Sequence, residues 1–320
     1  MISVRFKGKN SNKFSINKGV RQGCVLSPLL FIVVLDDVLK RTNAEAPDGL
    51  QWRLNQKLSD LDYADDIVFT THTLAAVAAK LQRLEINARA IGFKINYAKT
   101  KLMKRQTTNT SPLQLVSNGS TTVIEDVEEF CYLGSQITKD GGAESDVSAR
   151  ICKARTAFHK LSRVWRSRIL SMKTKLRIFN TSVKSVLLYG SETWLVSDRI
   201  NQRLQTFVNK CLRIVCRIFW PRTISNADLL SLTNNPPINI EIKKRKWGWI
   251  GHTLRREDDN VAKMAFQWNP QGSRRRGRPR QTWMRTIFNE SSSTATWNEI
   301  RHLATDRNRW RAFVSALCSD

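Results

Sequence analysis

The stretch of sequence that decides the fold is residues 61–69, which read LDYADDIVF. Short apolar runs on both sides of Ala64, Asp65 and Asp66 predict a β-hairpin with acidic residues at its tip. Adjacent carboxylates on a tight turn repel each other unless a cation lies between them. Carboxylates that leave room for waters and substrate phosphates are the Mg²⁺ ligands that phosphoryl-transfer enzymes need. The alternative is an ordinary solvated Asp-Asp turn, and the apolar flanks argue against it.

Helix signals precede and follow this hairpin. A Ser-Pro pair at 27–28 is a good helix start, and apolar residues at helical spacing continue to Arg41. A second helix is predicted over 73–91, where apolar residues recur every three or four positions and Gly92 ends the pattern. Shorter strands are predicted at the N-terminus and within 127–137. The first 140 residues are therefore α/β in character.

The charge of the chain is large and uneven. Its 320 residues include 53 Lys and Arg against 27 Asp and Glu, which gives a net charge of +26. Residues 1–150 carry a net charge of +4 and residues 151–320 one of +22. So much positive charge repels itself in a compact chain, which favours a polyanionic partner over a neutral metabolite. The hydrophobic content of 41% supports a folded core and excludes wholesale disorder.

After Gly141 the pattern is helical. Apolar stripes predict three amphipathic helices with basic outer faces before Pro221, which together make a small bundle. A fourth helix is predicted over 241–256 and a single last helix over 298–317. Residues 269–280 are rich in Gly, Pro and Arg and predict a linker or tail.

The cysteines and apolar runs restrict the cellular compartment. The six cysteines lack the spacing of a disulfide framework or a zinc site. Cys211 and Cys216 lie on a predicted apolar helix face, as small core residues, with metal binding as the alternative. The longest notable apolar run, residues 29–35, is far shorter than the roughly 20 residues that span a bilayer. Since the N-terminus also lacks a signal-peptide pattern, we expect an intracellular chain.

Two further motifs carry possible chemistry. Residues 19–28 read GVRQGCVLSP, with Arg21 and Gln22 between two glycines just before a helix N-terminus. Arg21 fits a phosphate and Gln22 a base or sugar, and an ordinary strand–turn–helix joint is the alternative. Residues 92–101 form a lysine-rich block that fits leaving-group protonation or phosphate contact, with a surface lysine cluster as the alternative.

In this order and at these separations, the blocks resemble the reverse transcriptase of non-LTR (LINE-type) retrotransposons. Residues 19–28 resemble the substrate-binding block of that family, and Tyr63-Ala64-Asp65-Asp66 resembles its catalytic YxDD box. Residues 96–101 resemble the lysine block that follows, and 132–134, which read YLG, resemble the primer-grip hairpin. Two segments nearer the C-terminus are similar to those of such elements: residues 247–256 and 277–283.

The resemblance implies a partial right-hand polymerase. Residues 1–140 would be an α+β palm of antiparallel sheet and helices, 141–225 an all-helical thumb, and 226–320 a basic C-terminal region. The implied activity is RNA-directed DNA polymerisation, which extends a DNA primer on an RNA template with deoxynucleoside triphosphates. The resemblance implies neither a membrane partner nor a small-molecule cofactor. If expressed, the chain would be nuclear or associated with a ribonucleoprotein.

The resemblance also implies roles for single residues. Asp65 and Asp66 would help to hold two Mg²⁺ ions, which activate the primer 3′-hydroxyl and neutralise the leaving pyrophosphate. Lys99 is the first choice for the general acid on pyrophosphate, with Lys101 second. Substrate binding is implied for Arg21, Gln22, Gly23, Tyr63, Ala64 and Lys101. The primer grip would be Tyr132, Leu133 and Gly134.

The basic C-terminal region predicts nucleic-acid contacts of its own. The candidate residues are Lys243, Lys244, Arg245, Lys246, Arg274, Arg275, Arg276, Arg278 and Arg280. The run over 274–280 has three interpretations: a solvated basic tail, a nuclear-localisation patch, or a segment similar to the AT-hook. Nearby tryptophans, including Trp247 and Trp249, are interpreted as core anchors, with base stacking as the alternative.

One departure from the family pattern concerns the metal site. The family uses a third metal-binding aspartate on a strand before the substrate block, yet the 18 residues before Gly19 contain no Asp or Glu. Asp36, Asp37 and Asp62 do not replace it and are expected to be solvated or paired. We therefore expect a truncated chain that does not polymerise by itself. The rival hypothesis is a non-catalytic nucleic-acid-binding remnant.

Overall fold

The computed structural model describes residues 3–15, 23–44, 48–53, 56–105, 107, 109–117, 120–268, 283–291 and 296–319. The chain forms two compact units, Met1–Val127 and Glu128–Asp320. Helices and small sheets occur together, so the fold class is α+β. The expected palm reached residue 140, whereas the first compact unit ends at Val127.

The first unit combines two helices with short strands. The helices are α1 (Ser27–Ala44) and α2 (Leu74–Ala90). The strands are β1 (Arg5–Phe6), β2 (Lys9–Asn10), β3 (Leu50–Arg53), β4 (Gln56–Leu58), β5 (Asp60–Tyr63), β6 (Asp66–Phe69), β7 (Lys101–Leu102), β8 (Leu113–Ser117) and β9 (Ser120–Asp126). Antiparallel pairs are β1–β2, β3–β4, β5–β6 and β8–β9, and β7 pairs with β9 in parallel.

Local sequence explains the two helices of this unit. The predicted helix from residue 27 is confirmed and extends three residues beyond Arg41, to Ala44. The predicted helix over 73–91 is also confirmed, since the Thr73 hydroxyl caps α2 by accepting a hydrogen bond from the Ala76 N–H at 3.2 Å. The positive φ of Gly92, 85°, ends the helix in a left-handed turn.

The strand predictions of the first unit need two corrections. The apolar run before the acidic tip is two strands, β4 and β5, because Ser59 interrupts the ladder and its carbonyl accepts from the Thr70 N–H at 3.0 Å. The predicted N-terminal strand is a hairpin instead, since Lys7 and Gly8 take positive φ values of 48° and 80° between β1 and β2.

The second unit is largely helical. It begins with the antiparallel pair β10 (Glu129–Tyr132) and β11 (Ser135–Thr138). Its α-helices are α3 (Glu144–Lys160), α4 (Ser162–Arg166), α5 (Met172–Ile178), α6 (Ser185–Leu187), α7 (Asp198–Val215), α8 (Asn226–Thr233), α9 (Ile238–Leu254), α10 (Val261–Gln267), α11 (Trp283–Glu290), α12 (Trp297–Thr305) and α13 (Arg307–Leu317). A π-helical turn, Phe179–Lys184, joins α5 to α6, and a 3₁₀ turn, Ser191–Thr193, follows α6.

Two hydrophobic cores hold this unit together. The first contains the predicted apolar stripes of the helices before Pro221, including Ala154, Phe179 and Leu204, together with residues of α8 and the start of α9. The second joins the end of α9 to α10–α13 around Trp247 and Trp310. Helix α9 contributes to both cores. The first core extends past residue 225, where the basic C-terminal region was expected to begin, because Leu229 and Ile238 belong to it.

The predicted single helix over 298–317 is wrong, because the structure has two helices there. The two helices are separated by Asp306, whose Oδ1 accepts hydrogen bonds from the N–H groups of Asn308 and Arg309 at 2.8 and 3.2 Å. These backbone hydrogen bonds stabilise the carboxylate and lower the pKa of Asp306. Asp306 is thus the N-cap of α13, a role that apolar periodicity does not report.

The cysteine expectation is confirmed. Cys211 is buried and Cys216 is half-buried, and both lie in or against the first helical core. Burial raises the pKa of the Cys211 thiol to about 12, which suits a core residue rather than a metal ligand. Within the described ranges, no helix combines the length and apolar character needed to cross a bilayer.

Candidate active site

The YADD segment forms the predicted hairpin. Tyr63 pairs with Asp66 across β5 and β6, which leaves Ala64 and Asp65 as a two-residue turn. Ala64 has φ of 55°, the left-handed conformation that such a tight turn requires. Asp65 and Asp66 are exposed, and neither forms an ion pair with another described residue. The sequence prediction of a hairpin with acids at its tip is confirmed.

One face of this hairpin is anchored to the helices. Ile67 and Phe69 pack against a buried cluster from α1 and α2 that includes Val38 and Leu84. Side chains alternate along a strand, so the opposite face carries Tyr63, whose exposed fraction is 64%. The tip is therefore rigidly supported from one side and open on the other.

Lys80 supports the hairpin from below and was missed by sequence reasoning. It is fully buried in α2, and its Nζ donates to the carbonyls of Asp48 and Ser59 at 2.9 and 3.2 Å. The ammonium also lies 5.3 Å from the centroid of the Phe69 ring. Burial lowers the pKa of Lys80. The available signal was a lysine directly before Leu81 on the apolar face of the predicted helix.

A pair of carboxyl groups lies near the base of the hairpin. Asp60 accepts a hydrogen bond from the Asn43 amide at 2.8 Å and interacts with Asp62 on the same strand face. Burial, followed by the contact with Asp60, raises the pKa of Asp62 to about 7. Asp62 is thus paired, as expected.

The other expected acidic pairs also occur. Asp36 contacts Lys40 at 2.6 Å and Asp37 contacts Arg41 at 2.8 Å, each one helical turn apart on α1. These carboxylates stabilise the surface of α1. Among the described residues, neither of them contacts Asp65 or Asp66.

The donor set at the tip is incomplete for two metal ions. Asp65 and Asp66 supply the hard oxygen ligands that Mg²⁺ prefers. No group of three or more His, Cys, Asp or Glu side chains within the described ranges is arranged to hold a metal. Asp62 does not extend the set, because strand alternation places it on the face opposite Asp66.

The substrate-binding block is described only in part. Gly23 has φ of 85°, and the next residue, Cys24, accepts a hydrogen bond through its carbonyl from the Ser27 N–H at 3.3 Å. This turn leads directly into α1. Arg21 and Gln22 lie outside the described residues.

The two candidate lysines have different surroundings. Lys99 is exposed in a turn, where its backbone N–H donates to the Asn96 carbonyl at 3.1 Å. Lys101 pairs through its ammonium with Glu125, its neighbour across the parallel strands β7 and β9. In the described part of the chain, no recorded contact joins either lysine to Asp65 or Asp66.

The expected primer-grip hairpin is the β10–β11 pair of the second unit. Tyr132 pairs with Ser135, so Leu133 and Gly134 form the turn, with φ values of 48° and 83°. The predicted strand pair around these residues is confirmed. An exposed fraction of 38% leaves the Leu133 side chain partly open to solvent.

Distant residues hold this turn. Arg150 of α3 donates from Nη2 to the Gly134 carbonyl, and its guanidinium lies 4.3 Å from the centroid of the Tyr189 ring. The Tyr189 hydroxyl donates to the Leu133 carbonyl at 3.0 Å. Both carbonyls of the turn are therefore hydrogen-bonded by side chains far away in sequence.

Asp146 links the same hairpin to the helical core. Its Oδ1 accepts from the Gln136 N–H at 2.9 Å and its Oδ2 accepts from the Trp194 indole N–H at 2.8 Å. Asp146 and Arg150 are both buried, with charged atoms 3.7 Å apart. Sequence reasoning missed these residues, and the available signal was the Asp–Arg spacing of four in the helix that follows the hairpin.

The lysine cluster of α9 differs from the expectation of a nucleic-acid surface. Lys246 is buried because it pairs with Glu290 at 2.6 Å, and Lys243 donates to the Leu317 carbonyl at 2.7 Å. Arg245 donates to the Leu188 carbonyl at 3.3 Å, whereas Lys244 is exposed. These contacts join α9 to α11 and to the end of α13, so this cluster is largely structural. The arginines over 274–280 lie outside the described residues.

The tryptophans of the same segment are core residues, as expected. Trp247 is fully buried and donates from its indole N–H to Glu290 at 2.8 Å. Trp249 packs against the second core.

Comparison with known proteins agrees with the hairpin geometry. Residues 1–137 match the family described as reverse transcriptase (RNA-dependent DNA polymerase). Residues 157–189 match a family described as a domain of unknown function. The chain thus carries a reverse transcriptase domain.

The relatives define the class more closely. An uncharacterized transposon-derived protein of Caenorhabditis elegans is 28% identical over 269 residues, which cover 81% of this chain and 96% of that protein. The Pol polyprotein of the type-1 retrotransposable element R2 of Popillia japonica is 27% identical over 226 residues, 65% of this chain and 29% of the polyprotein. The R2 polyprotein of Nasonia vitripennis is 30% identical over 126 residues, 37% of this chain and 12% of that relative.

The match over residues 1–137 and the R2 relatives identify this region as a reverse transcriptase segment of the non-LTR retrotransposon type, a family whose activity is RNA-directed DNA polymerisation. The chain spans less than a third of the length of these R2 polyproteins. The rival hypothesis of a purely binding remnant is not favoured by these relationships.

Proposed function

We propose that this chain contributes to extending a DNA primer on an RNA template with deoxynucleoside triphosphates. Residues 1–140 would act as the palm, 141–225 as the thumb and 226–320 as a basic C-terminal region. The observation that carries the proposal is the YADD hairpin, whose two exposed carboxylates stand on a supported turn within a region that matches reverse transcriptases. A nuclear or ribonucleoprotein location follows from these substrates.

The hairpin supplies part of the catalytic centre in this proposal. Asp65 and Asp66 would hold Mg²⁺, which when bound acts as a Lewis acid on the primer hydroxyl and on the leaving pyrophosphate. The small side chain of Ala64 leaves room for the primer terminus, and the exposed ring of Tyr63 borders the same space. The described residues place two carboxylates at this turn, and the proposal assigns completion of the site to a further carboxylate from another segment.

The remaining roles are those that the resemblance to the family implies. Lys99 would serve as the general acid because its side chain is exposed, whereas Lys101 is engaged with Glu125. Arg21, Gln22 and Gly23, which precede α1 in the sequence, would contact the incoming nucleotide. Tyr132, Leu133 and Gly134 would position the primer strand, supported by Arg150 and Tyr189.

A chimeric enzyme tests the proposal. Residues 23–140 of this chain replace the matching segment of the Popillia japonica R2 polyprotein, and Mg²⁺-dependent extension of a DNA primer on an RNA template is measured. The chimera should extend the primer, and Asp65→Asn or Asp66→Asn should reduce extension at least about 100-fold. Asp37→Asn is the matched control, since Asp37 is an exposed carboxylate paired on α1.

Two results would contradict the proposal. Robust extension by the purified chain alone would show that no further carboxylate is needed. Undiminished extension by the Asp65→Asn chimera would remove the hairpin from the catalytic centre.

A further inference from the structure

Two neighbouring loops of the second unit, residues 166–171 and 216–222, form a surface that we call the loop surface. Arg217 has φ of 56°, and its Nη2 donates to the Ser167 carbonyl at 3.3 Å and also to the Arg166 carbonyl. These hydrogen bonds tie the turn after α7 to the segment between α4 and α5. The two loops are therefore held beside each other by the protein itself.

The loop surface exposes large apolar side chains. Ile169 is 96% exposed, Trp220 is 87% exposed and Phe219 is 58% exposed. Four other tryptophans of this unit are buried, with exposed fractions of at most 4%: Trp165, Trp194, Trp247 and Trp310. An apolar cluster held open to solvent is a sign of a binding site rather than of a core.

The charged residues of the two loops are all arginines. Arg166, Arg168, Arg217 and Arg222 are exposed, and none forms an ion pair with another described residue. The sequence contains no Asp or Glu over 147–191 or over 199–227. Carboxylates near in sequence therefore do not neutralise these arginines, and a polyanionic partner would relieve their mutual repulsion.

An indole beside several guanidinium groups suits unpaired nucleotides. Each base offers a flat face that stacks on an aromatic ring, while the phosphates pair with arginines. In a duplex the bases stack on one another, so their faces are not accessible to an indole. We propose that the loop surface binds single-stranded nucleic acid, with Trp220 stacked on a base and Arg166, Arg168 and Arg222 on phosphates.

None of the residues of the loop surface has a role in the proposed polymerase chemistry. Every residue that forms it lies in the second unit, whereas Asp65 and Asp66 lie in the first. The binding therefore does not depend on primer extension. The double variant Asp65→Asn, Asp66→Asn should bind single strands as the unmodified chain does, so a failure of the polymerase proposal leaves this inference standing.

Fluorescence anisotropy with a labelled oligouridine of about 12 nucleotides tests the site on the full chain. Trp220→Ala should weaken binding about tenfold through lost stacking, while Trp220→Phe should keep most of the affinity. Leu232→Ala is the matched control, because Leu232 is a 61% exposed apolar residue of α8 outside the loops. Affinity for a fully paired duplex should be the same for Trp220→Ala and the unmodified chain.

The salt dependence gives a second measurement. Log affinity falls as log salt rises, and Arg168→Gln should make this slope shallower by about 0.7. Trp220→Ala should leave the slope unchanged. Equal oligouridine affinity of the Trp220→Ala and Leu232→Ala variants would overturn the proposal. The proposal would also fail if Trp220→Ala weakened binding to phosphatidylserine-containing vesicles and left oligouridine binding intact.

Discussion

The β5–β6 hairpin and the β10–β11 hairpin have the same local form and different surroundings. Each turns through two residues, and the first turn residue, Ala64 or Leu133, has a positive φ. In the first hairpin the strands are anchored and the turn is open, with two exposed carboxylates. In the second hairpin the turn itself is held, because side chains donate to both of its carbonyls.

The difference separates two ways of building a site on a tight turn. The open tip of the first hairpin keeps its side chains available to a ligand. Residues outside the turn stabilise the hairpin, such as Lys80, which donates hydrogen bonds to the carbonyls of Asp48 and Ser59. The held tip of the second hairpin has a fixed backbone position, but its two carbonyls already accept hydrogen bonds from the protein. The first arrangement suits binding of a metal ion by the turn carboxylates, and the second suits positioning of a nucleic-acid strand. Substitutions of the turn residues themselves should therefore act on activity in the first hairpin, and substitutions of the residues that hold the turn should act on stability in the second.

The largest stability effect is expected at Arg150. Arg150→Ala removes one partner of a buried charge pair and leaves Asp146 unpaired, so the free energy of unfolding of the second unit should fall by about 3 kcal/mol. Urea denaturation followed by near-UV circular dichroism measures the change. Lys153→Ala is the control, because exposed Lys153 also donates to the Gly134 carbonyl, at 3.3 Å, and should cost at most about 0.5 kcal/mol. Equal effects of both variants would contradict the difference between the hairpins.

Lys80 should have the next effect, in the first unit. Lys80→Met keeps the length of the side chain but leaves the carbonyls of Asp48 and Ser59 without their donor, at a cost of about 1–3 kcal/mol. Hydrogen exchange of the β5 and β6 amides should increase accordingly. Exposed Lys94→Met is the control and should leave exchange unchanged. Unaltered exchange in Lys80→Met would show that the hairpin is supported by the apolar face alone.

A comparison of Gly190→Ala with Gly92→Ala tests the packing of Gly190 against the second hairpin. Gly190→Ala and Gly92→Ala both place alanine at a positive φ, 75° and 85°, and each should cost about 1–2 kcal/mol. A Cβ on Gly190 would also lie 2.9 Å from the Ser135 Oγ of β11, whereas one on Gly92 meets nothing within 4 Å. Gly190→Ala should thus lower the free energy of unfolding more. Ser135→Ala should remove the excess, and its persistence would refute the contact.

The smallest effect is a pH dependence near the open hairpin. The folded pKa of Asp62, about 7, is above its usual value, so its contribution to stability is largest in acid and is lost as pH rises toward 7. Asp62→Asn should therefore stabilise the first unit more at pH 8 than at pH 4. Partial solvation of this carboxyl keeps the change small. Hydrogen exchange at both pH values measures it, and a pH-independent difference would contradict it.

Much of the secondary structure could be predicted from sequence, because its signals are local. The Thr73 cap and Gly92 bound α2, and the YADD hairpin follows from two apolar runs around a turn. The single last helix was predicted wrongly, since apolar periodicity runs through Asp306 without reporting its capping hydrogen bonds. Periodicity detects a buried face and is insensitive to a one-residue break between two helices that share that face.

The candidate site was predictable in its side chains and less so in its supports. Asp65 and Asp66 were identified from adjacent residues, whereas Lys246 was expected at a nucleic-acid surface and is buried against Glu290. A lysine in a basic run looks solvated unless the position of its partner, 44 residues away, is known. Arg150 and Tyr189 were missed for the same reason.

The sequence by itself determined the class of the protein, the acidic turn and the strong positive charge of the second half, because each depends on residue identity and near spacing. The tertiary structure alone decided which polar groups are open and which are occupied. Lys80, Arg150 and Lys246 are buried because segments distant in sequence bring acceptors to them. Trp220 is exposed because its loop is tied to another loop rather than folded inward. Burial depends on every neighbour in space, and a linear pattern shows only the neighbours in sequence.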